Sequence, residues 1–193
     1  RTLAKLHDDR GNVAVPGLAS GPADPLDLPE DELRRWVGMR PTVRLIGDGG
    51  LTERLWTKAA IDVLGIDAPR LQESTNQLVP SARARVSMRI PPGQDPDAAM
   101  RALVEHLRAS VPWGAEVTVT PRNSGRPYRV SAADPAHEAM RRAMRDAWGR
   151  PAVDMGAGGS IPFVFDFARA FPKASLLLTG AADPTSNAHS EDE

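Results

Sequence analysis

Residues 81–90, Ser-Ala-Arg-Ala-Arg-Val-Ser-Met-Arg-Ile, decide the fold class. Ala82, Ala84, Val86, Met88 and Ile90 fall on one side, and Arg83, Arg85, Ser87 and Arg89 on the other. A strict period of two is that of a half-buried β-strand. Pro91, Pro92 and Gly93 end the strand, and Asp95 followed by Pro96 then supplies a helix N-cap and a proline at the first helical position. Met100, Leu103, Leu107 and Val111 recur at three- and four-residue steps, which predicts a helix with one apolar stripe that packs on the sheet and stops at Pro112. Beyond Trp113 and Gly114, Ala115, Val117 and Val119 alternate with Glu116, Thr118 and Thr120, a second half-exposed strand.

Working outward, 42–46 and 60–64 are short β-prone runs, with 51–58 between them read as helix or irregular chain, and 11–29 is a Gly-, Pro- and Asp-rich loop. These pieces predict a small open-faced α+β sandwich with helices on one face of the sheet. The turn residues Asn123, Ser124 and Gly125 mark a crossing into a second domain. There Asp134 and Pro135 open a helix whose Ala136, Met140, Ala143 and Ala147 line one face, and Gly149 and Pro151 close it. A glycine-rich turn, Gly156 to Ser160, leads into an apolar helix over 161–170. Leu176, Leu177 and Leu178 in a row within 173–179 suit a strand covered on both faces, so this half reads as a piece of a layered α/β domain.

Composition narrows the function classes. The 193 residues are 41% hydrophobic, enough for an ordinary core, so whole-chain disorder is excluded. Twenty-four basic residues stand against twenty-five acidic ones with no basic block, which sets nucleic acid aside as a partner. No apolar run approaches the ~20 residues a bilayer span needs, so no membrane partner is expected either. The absence of cysteine rules out disulfides and thiolate metal sites and fits a cytoplasmic protein, although secreted bacterial proteins share that feature. The opening at Arg1 and the close at Glu193 are read as truncations of a longer chain.

Four local features could carry chemistry, each open to a plainer reading. Gly158, Gly159 and Ser160 open a helix, where free backbone N–H groups and the helix dipole suit a carboxylate; the alternative is a tight turn needing glycine. His189 follows a polar turn beyond a strand, a placement that suits a metal ligand or simply a solvated histidine. Arg89 could clamp a carboxylate with a bidentate fork, with Asn76 donating an amide hydrogen bond nearby, or it could be an ordinary strand-face charge. His106 and His137 are expected on helices toward solvent, and His7 in a turn.

Taken together, the stretch from Ser74 through Asn76 and Pro80 to Arg89, then Gly158-Gly159-Ser160-Ile161-Pro162, then Ala188-His189 through Glu193, resembles the dinuclear zinc dipeptidase family. That family includes carnosine dipeptidases, aminoacylase, carboxypeptidase G and succinyl-diaminopimelate desuccinylase, and the likeness is greatest to its bacterial dipeptidase branch. The resemblance implies a ferredoxin-like lid and dimerisation domain over 1–122, lacking its N-terminal part, followed by the C-terminal part of an α/β zinc-peptidase catalytic domain over 123–193. It implies that Asn76 and Arg89 hold the substrate's carboxylate or the scissile carbonyl, often across a homodimer formed through the lid. Gly159 and Ser160 match the loop on the substrate carboxylate, His189 the final zinc ligand and Glu193 a supporting glutamate.

By the same resemblance, the complete site holds two zinc ions roughly 3.5–4 Å apart, other divalent metals being possible. The general base and the remaining ligands are expected upstream of Arg1, so no catalytic residue falls in this chain, which is expected to be inactive alone. The substrate class implied is a small peptide or N-acyl amino acid with a free carboxylate, cut at its amide bond. The competing expectation is a non-catalytic dimerisation and ligand-binding module, since one histidine cannot hold two zinc ions. Two departures stand out: Gly156-Ala157 occupies the place where carnosine dipeptidases carry Arg-Glu, and Asp192 stands where asparagine is frequent.

Overall fold

The structure, a computed structural model, describes residues 1–23, 29–122, 124–156 and 162–180. Its sheet is an antiparallel pair, β1 (Ala60–Asp67) and β2 (Arg83–Arg89). Ile61 stands opposite Met88, Val63 opposite Val86 and Ile66 opposite Ala84, so these pairs share the apolar face. Asp62 opposite Ser87 and Asp67 opposite Arg83 share the polar one. The apolar spacing in β1 is two, then three, because a register shift between Val63 and Gly65 leaves Leu64 as an extra residue.

The helix α2 (Pro96–Ala109) forms as its sequence dictates: Asp95 Oδ2 accepts from Ala98 N at 2.9 Å and Pro96 fills the first turn. Its Leu103 and Leu107 are buried with Ile61 of β1 and with Leu6 and Val15 from the N-terminal segment, and Val86, Met88 and Val119 pack around them. Pro96 and Ala99 extend the buried stripe, while Met100 and Val111 are half-buried. Helix cover ends part-way along the sheet: Ile61 is 3% exposed, Ile66 63%.

A seven-residue helix, α1 (Glu30–Trp36), lies where no helix is expected. Its signal is electrostatic rather than apolar, with Glu30, Asp31 and Glu32 in the first turn, Arg34 and Arg35 in the last, and a Glu30–Arg34 ion pair at 2.8 Å. Within 51–58 the chain winds into a π-turn, Glu53–Thr57. The run 42–46 does not form a strand; Arg34 Nη1 donates to the Val43 carbonyl at 2.7 Å, occupying a group a ladder would use. The alternation over 115–120 likewise yields no ladder. Trp113 and Gly114, both at positive φ, turn the chain there, and within 115–120 it is Val119 that packs against the core.

In the second half, α3 (Pro135–Trp148) is capped as expected, with Asp134 Oδ1 accepting from His137 N at 3.0 Å and Gly149 at φ 68° closing it. Its expected apolar face is only partly covered: Ala136 and Met140 are half-buried, Ala143 and Ala147 exposed. α4 (Pro162–Ala170) carries an aromatic row, Phe163 to Phe167 at 5.5 Å between ring centroids and Phe167 to Phe171 at 4.7 Å. The triple-leucine run forms no ladder among the described residues, and Leu177 and Leu178 are exposed. A continuous apolar run reports what a strand needs on both faces, and the described residues do not provide those layers.

Candidate functional site

Of the six site residues expected from sequence, two fall within the described part. Arg89 closes β2 opposite Ala60, and its side chain is exposed but engaged in an interaction. Asn76 lies on the excursion between β1 and β2, just past a short 3-10 turn at Leu71–Glu73, and is exposed. Both are therefore exposed, Arg89 at the end of the ladder and Asn76 in the connection between its two strands. Gly159, Ser160, His189 and Glu193 lie outside the described residues.

Apolar side chains crowd this same excursion. Leu71, Leu78 and Val79 are exposed, Leu78 at 99%, as are Val63, Leu64 and Ile66 on β1. Exposed apolar residues gathered in one region mark a contact surface rather than random surface composition. A broad cleft of about 3730 Å³ runs past β2, α3 and the 150–156 segment. Pockets that enclose a small molecule are nearer 300–1,000 Å³, so the described residues frame this space without closing it.

The polar contacts that order the second half centre on α3. His137 is buried, contrary to the expectation that it faces solvent. Its Nδ1 lies 2.9 Å from Asp134 Oδ1 and its Nε2 3.2 Å from the Leu176 carbonyl, so one ring ties the start of α3 to the 173–180 stretch. The His137 ring, then its backbone N–H, then the Ser175 side chain hold the Asp134 carboxyl well below the usual carboxylate range. Asp134 at the N-cap with His137 three residues on was the sequence signal for this contact, since that spacing returns a side chain to the cap. One turn later Arg141 pairs with Glu138 and Asp154, and Asp154 is the first cause of its raised pKa. His106 is also engaged, its Nε2 2.7 Å from the Lys5 carbonyl, and His7 bridges to Val13.

Near the start of α4, Arg126 sits 5.6 Å over the Phe165 ring, which Tyr128 meets edge-on at 6.4 Å. Trp56 of the π-turn lies against Gly156. Among the described residues no group of three or more His, Asp or Glu converges as a metal centre. The described residues thus do not by themselves fit a zinc pair, and the ligand offered by sequence, His189, lies outside them.

The model of the M20 peptidase dimerisation domain matches residues 1–115, the segment that contains β1, β2 and α2. The chain belongs to the M20 peptidase family. Across its full length this M20 chain is 30% identical to a cysteinylglycine-S-conjugate dipeptidase from Corynebacterium striatum, spanning 43% of that protein. Its fold matches human carnosine dipeptidase 1 with a TM-score of 0.68 at 19% identity, over 87% of this chain and 38% of that one. A di-peptidase from Saccharomyces cerevisiae matches with a TM-score of 0.66 at 17% identity, over 92% and 40%. An M20 metallo-carboxypeptidase from Sulfolobus solfataricus matches at 0.63 and 20%, over 83% and 44%. The M20 chain thus spans less than half the length of each of these relatives. The expected family and the mixed α+β architecture with a small sheet are both borne out.

Proposed function

We propose that the polypeptide to which this chain belongs is a dinuclear zinc dipeptidase, or a closely related amidase, hydrolysing small peptides with a free carboxylate. The chain supplies its dimerising, substrate-gripping domain over 1–122 and the C-terminal part of its catalytic domain over 123–193. The observation that carries this reading is the likeness to a dipeptidase along the whole chain, which extends beyond the residues matched as the dimerisation domain. In this reading Asn76 and Arg89 grip the substrate, Gly159 and Ser160 meet its carboxylate, His189 is a metal ligand, Glu193 supports it, and the protein works in the cytoplasm.

The test is dipeptide hydrolysis by the complete polypeptide with zinc present. His189→Ala is expected to abolish it and Arg89→Ala to weaken it chiefly through KM. Undiminished activity of His189→Ala refutes the ligand assignment.

A second reading, a dimerisation and ligand-binding module acting without catalysis, is favoured by the exposed apolar residues Leu64, Ile66, Leu71 and Leu78. In both readings a second copy covers them, giving a homodimer. Sedimentation of the 193-residue chain checks this: a dimer that dissociates on Ile66→Asp supports the surface, and a monomer at high concentration removes it.

A further inference from the structure

One contact joins the two halves of the chain without any sequence motif to announce it. Trp56 belongs to the π-turn Glu53–Thr57, and its indole lies against the backbone at Gly156. A Cβ at position 156 would stand 2.7 Å from ring atoms Cδ1 and Cδ2, and closer still to Cγ. Carbon atoms in good contact keep about 3.5–4.0 Å, so no side chain fits there while the ring is in place. Glycine is often kept for positive φ, but Gly156 is not among the glycines that adopt it. The ring itself is what demands glycine.

Both sides of the contact are anchored. Beneath Trp56, buried Thr57 donates from Oγ1 to the Gly21 carbonyl at 2.5 Å, and Glu53 Oε2 accepts from Gly50 N at 3.0 Å. π-turns of this kind are frequent at functional sites. On the other side, Asp154 receives Arg141 Nη2, and Arg141 also donates to the Ala132 carbonyl at 2.9 Å. The segment 152–156 is thereby held from α3 on one side and from the dimerisation domain on the other.

We propose that Trp56 is a positioning residue: seated on Gly156, its indole docks the dimerisation domain against segment 152–156. The inference rests on the dipeptidase reading, which assigns substrate contact to Gly159 and Ser160, the third and fourth positions after Gly156 in the sequence. A side chain at 156 and the ring at 56 compete for one space, so the two positions are energetically coupled.

The experiment compares Gly156→Ala, Trp56→Ala, the double variant and Trp56→Phe in the complete polypeptide, reading melting temperature and, separately, kcat and KM for a simple dipeptide with zinc present. Each alanine variant is expected to lose on the order of 10- to 100-fold in kcat/KM, mostly through KM, because displacement by about 1 Å at a binding element has effects of that size. Losses in the double variant are expected to be no larger than in the worse single one, since the added methyl then has no ring to meet. Trp56→Phe retains a flat ring and is expected to stay within a few-fold of the parent. Additive losses in the double variant, or single variants with unchanged KM and kcat, overturn the proposal. A parent that hydrolyses no dipeptide overturns the dipeptidase reading and this role with it, and is told apart by coupling between positions 56 and 156 that persists in the melting temperature alone.

Discussion

Leu103→Ala probes the element on which the dimerisation domain depends. Leu103 is 6% exposed on α2, in one cluster with Leu6, Val15, Ile61 and Leu107. The change removes three carbons, worth roughly 2.4 kcal/mol at about 0.8 kcal/mol per buried methylene. The cavity adds to this, because Leu6 and Val15 come from a segment tied by hydrogen bonds such as Ala14 N to the Leu6 carbonyl at 2.8 Å and cannot collapse freely. A total of about 3–4 kcal/mol follows, within the range known for buried leucines. Urea unfolding followed by far-UV circular dichroism reads it as a lower midpoint at constant slope. Glu105→Ala, at an exposed position of the same helix, is the control and is expected within about 0.5 kcal/mol of the parent. A loss under about 1 kcal/mol for Leu103→Ala, or equal losses for both variants, refutes the placement of the core between α2 and the sheet.

Acid is expected to destabilise the protein in part through Asp134. The folded-state pKa of Asp134 is lowered, so its contribution is complete above the unfolded value of about 3.9 and fades as pH falls below it; Asp8, lowered chiefly by the side chain and backbone of Asn12, acts in the same direction. The melting temperature is expected to drop below about pH 4, and Asp134→Asn to flatten that drop; an unchanged slope in the variant rejects the cause. His137→Ala removes the partner of both Asp134 and the Leu176 carbonyl. A cost of about 1–3 kcal/mol is expected, with faster hydrogen exchange confined to 173–180 and the start of α3. Exchange that rises evenly across the chain rules out the tie.

What could be read beforehand divides by sequence distance. β2 and α2 carry their instructions locally, in the alternation of 82–90 and in the Asp95-Pro96 cap with its stripe, and both formed where expected. The cap at Asp134 and the stop at Gly149 were legible for the same reason. The runs 42–46, 115–120 and 173–179 have strand-like composition, but a strand needs a ladder partner, and that is a non-local fact. Of the candidate site, the place of Arg89 on β2 followed from the alternation, Asn76 had no periodicity to place it, and the roles of both came only from family likeness. Trp56 meeting Gly156 is set by packing between distant segments, and no periodicity encodes it.

The extra residue in β1 bears on how chain length can vary among related proteins. Leu64 is the position at which β1 takes two residues against one on its partner. Removing one residue there yields a regular ladder that still puts Ile66 on the apolar face and Asp67 across from Arg83. Removing or adding one elsewhere in the strand moves every residue beyond the change to the opposite face, exposing apolar groups and burying charge. Single-residue gaps between this chain and its relatives are therefore expected to gather at the bulge, and a library of one-residue deletions across 60–67 should recover folded protein chiefly from that point.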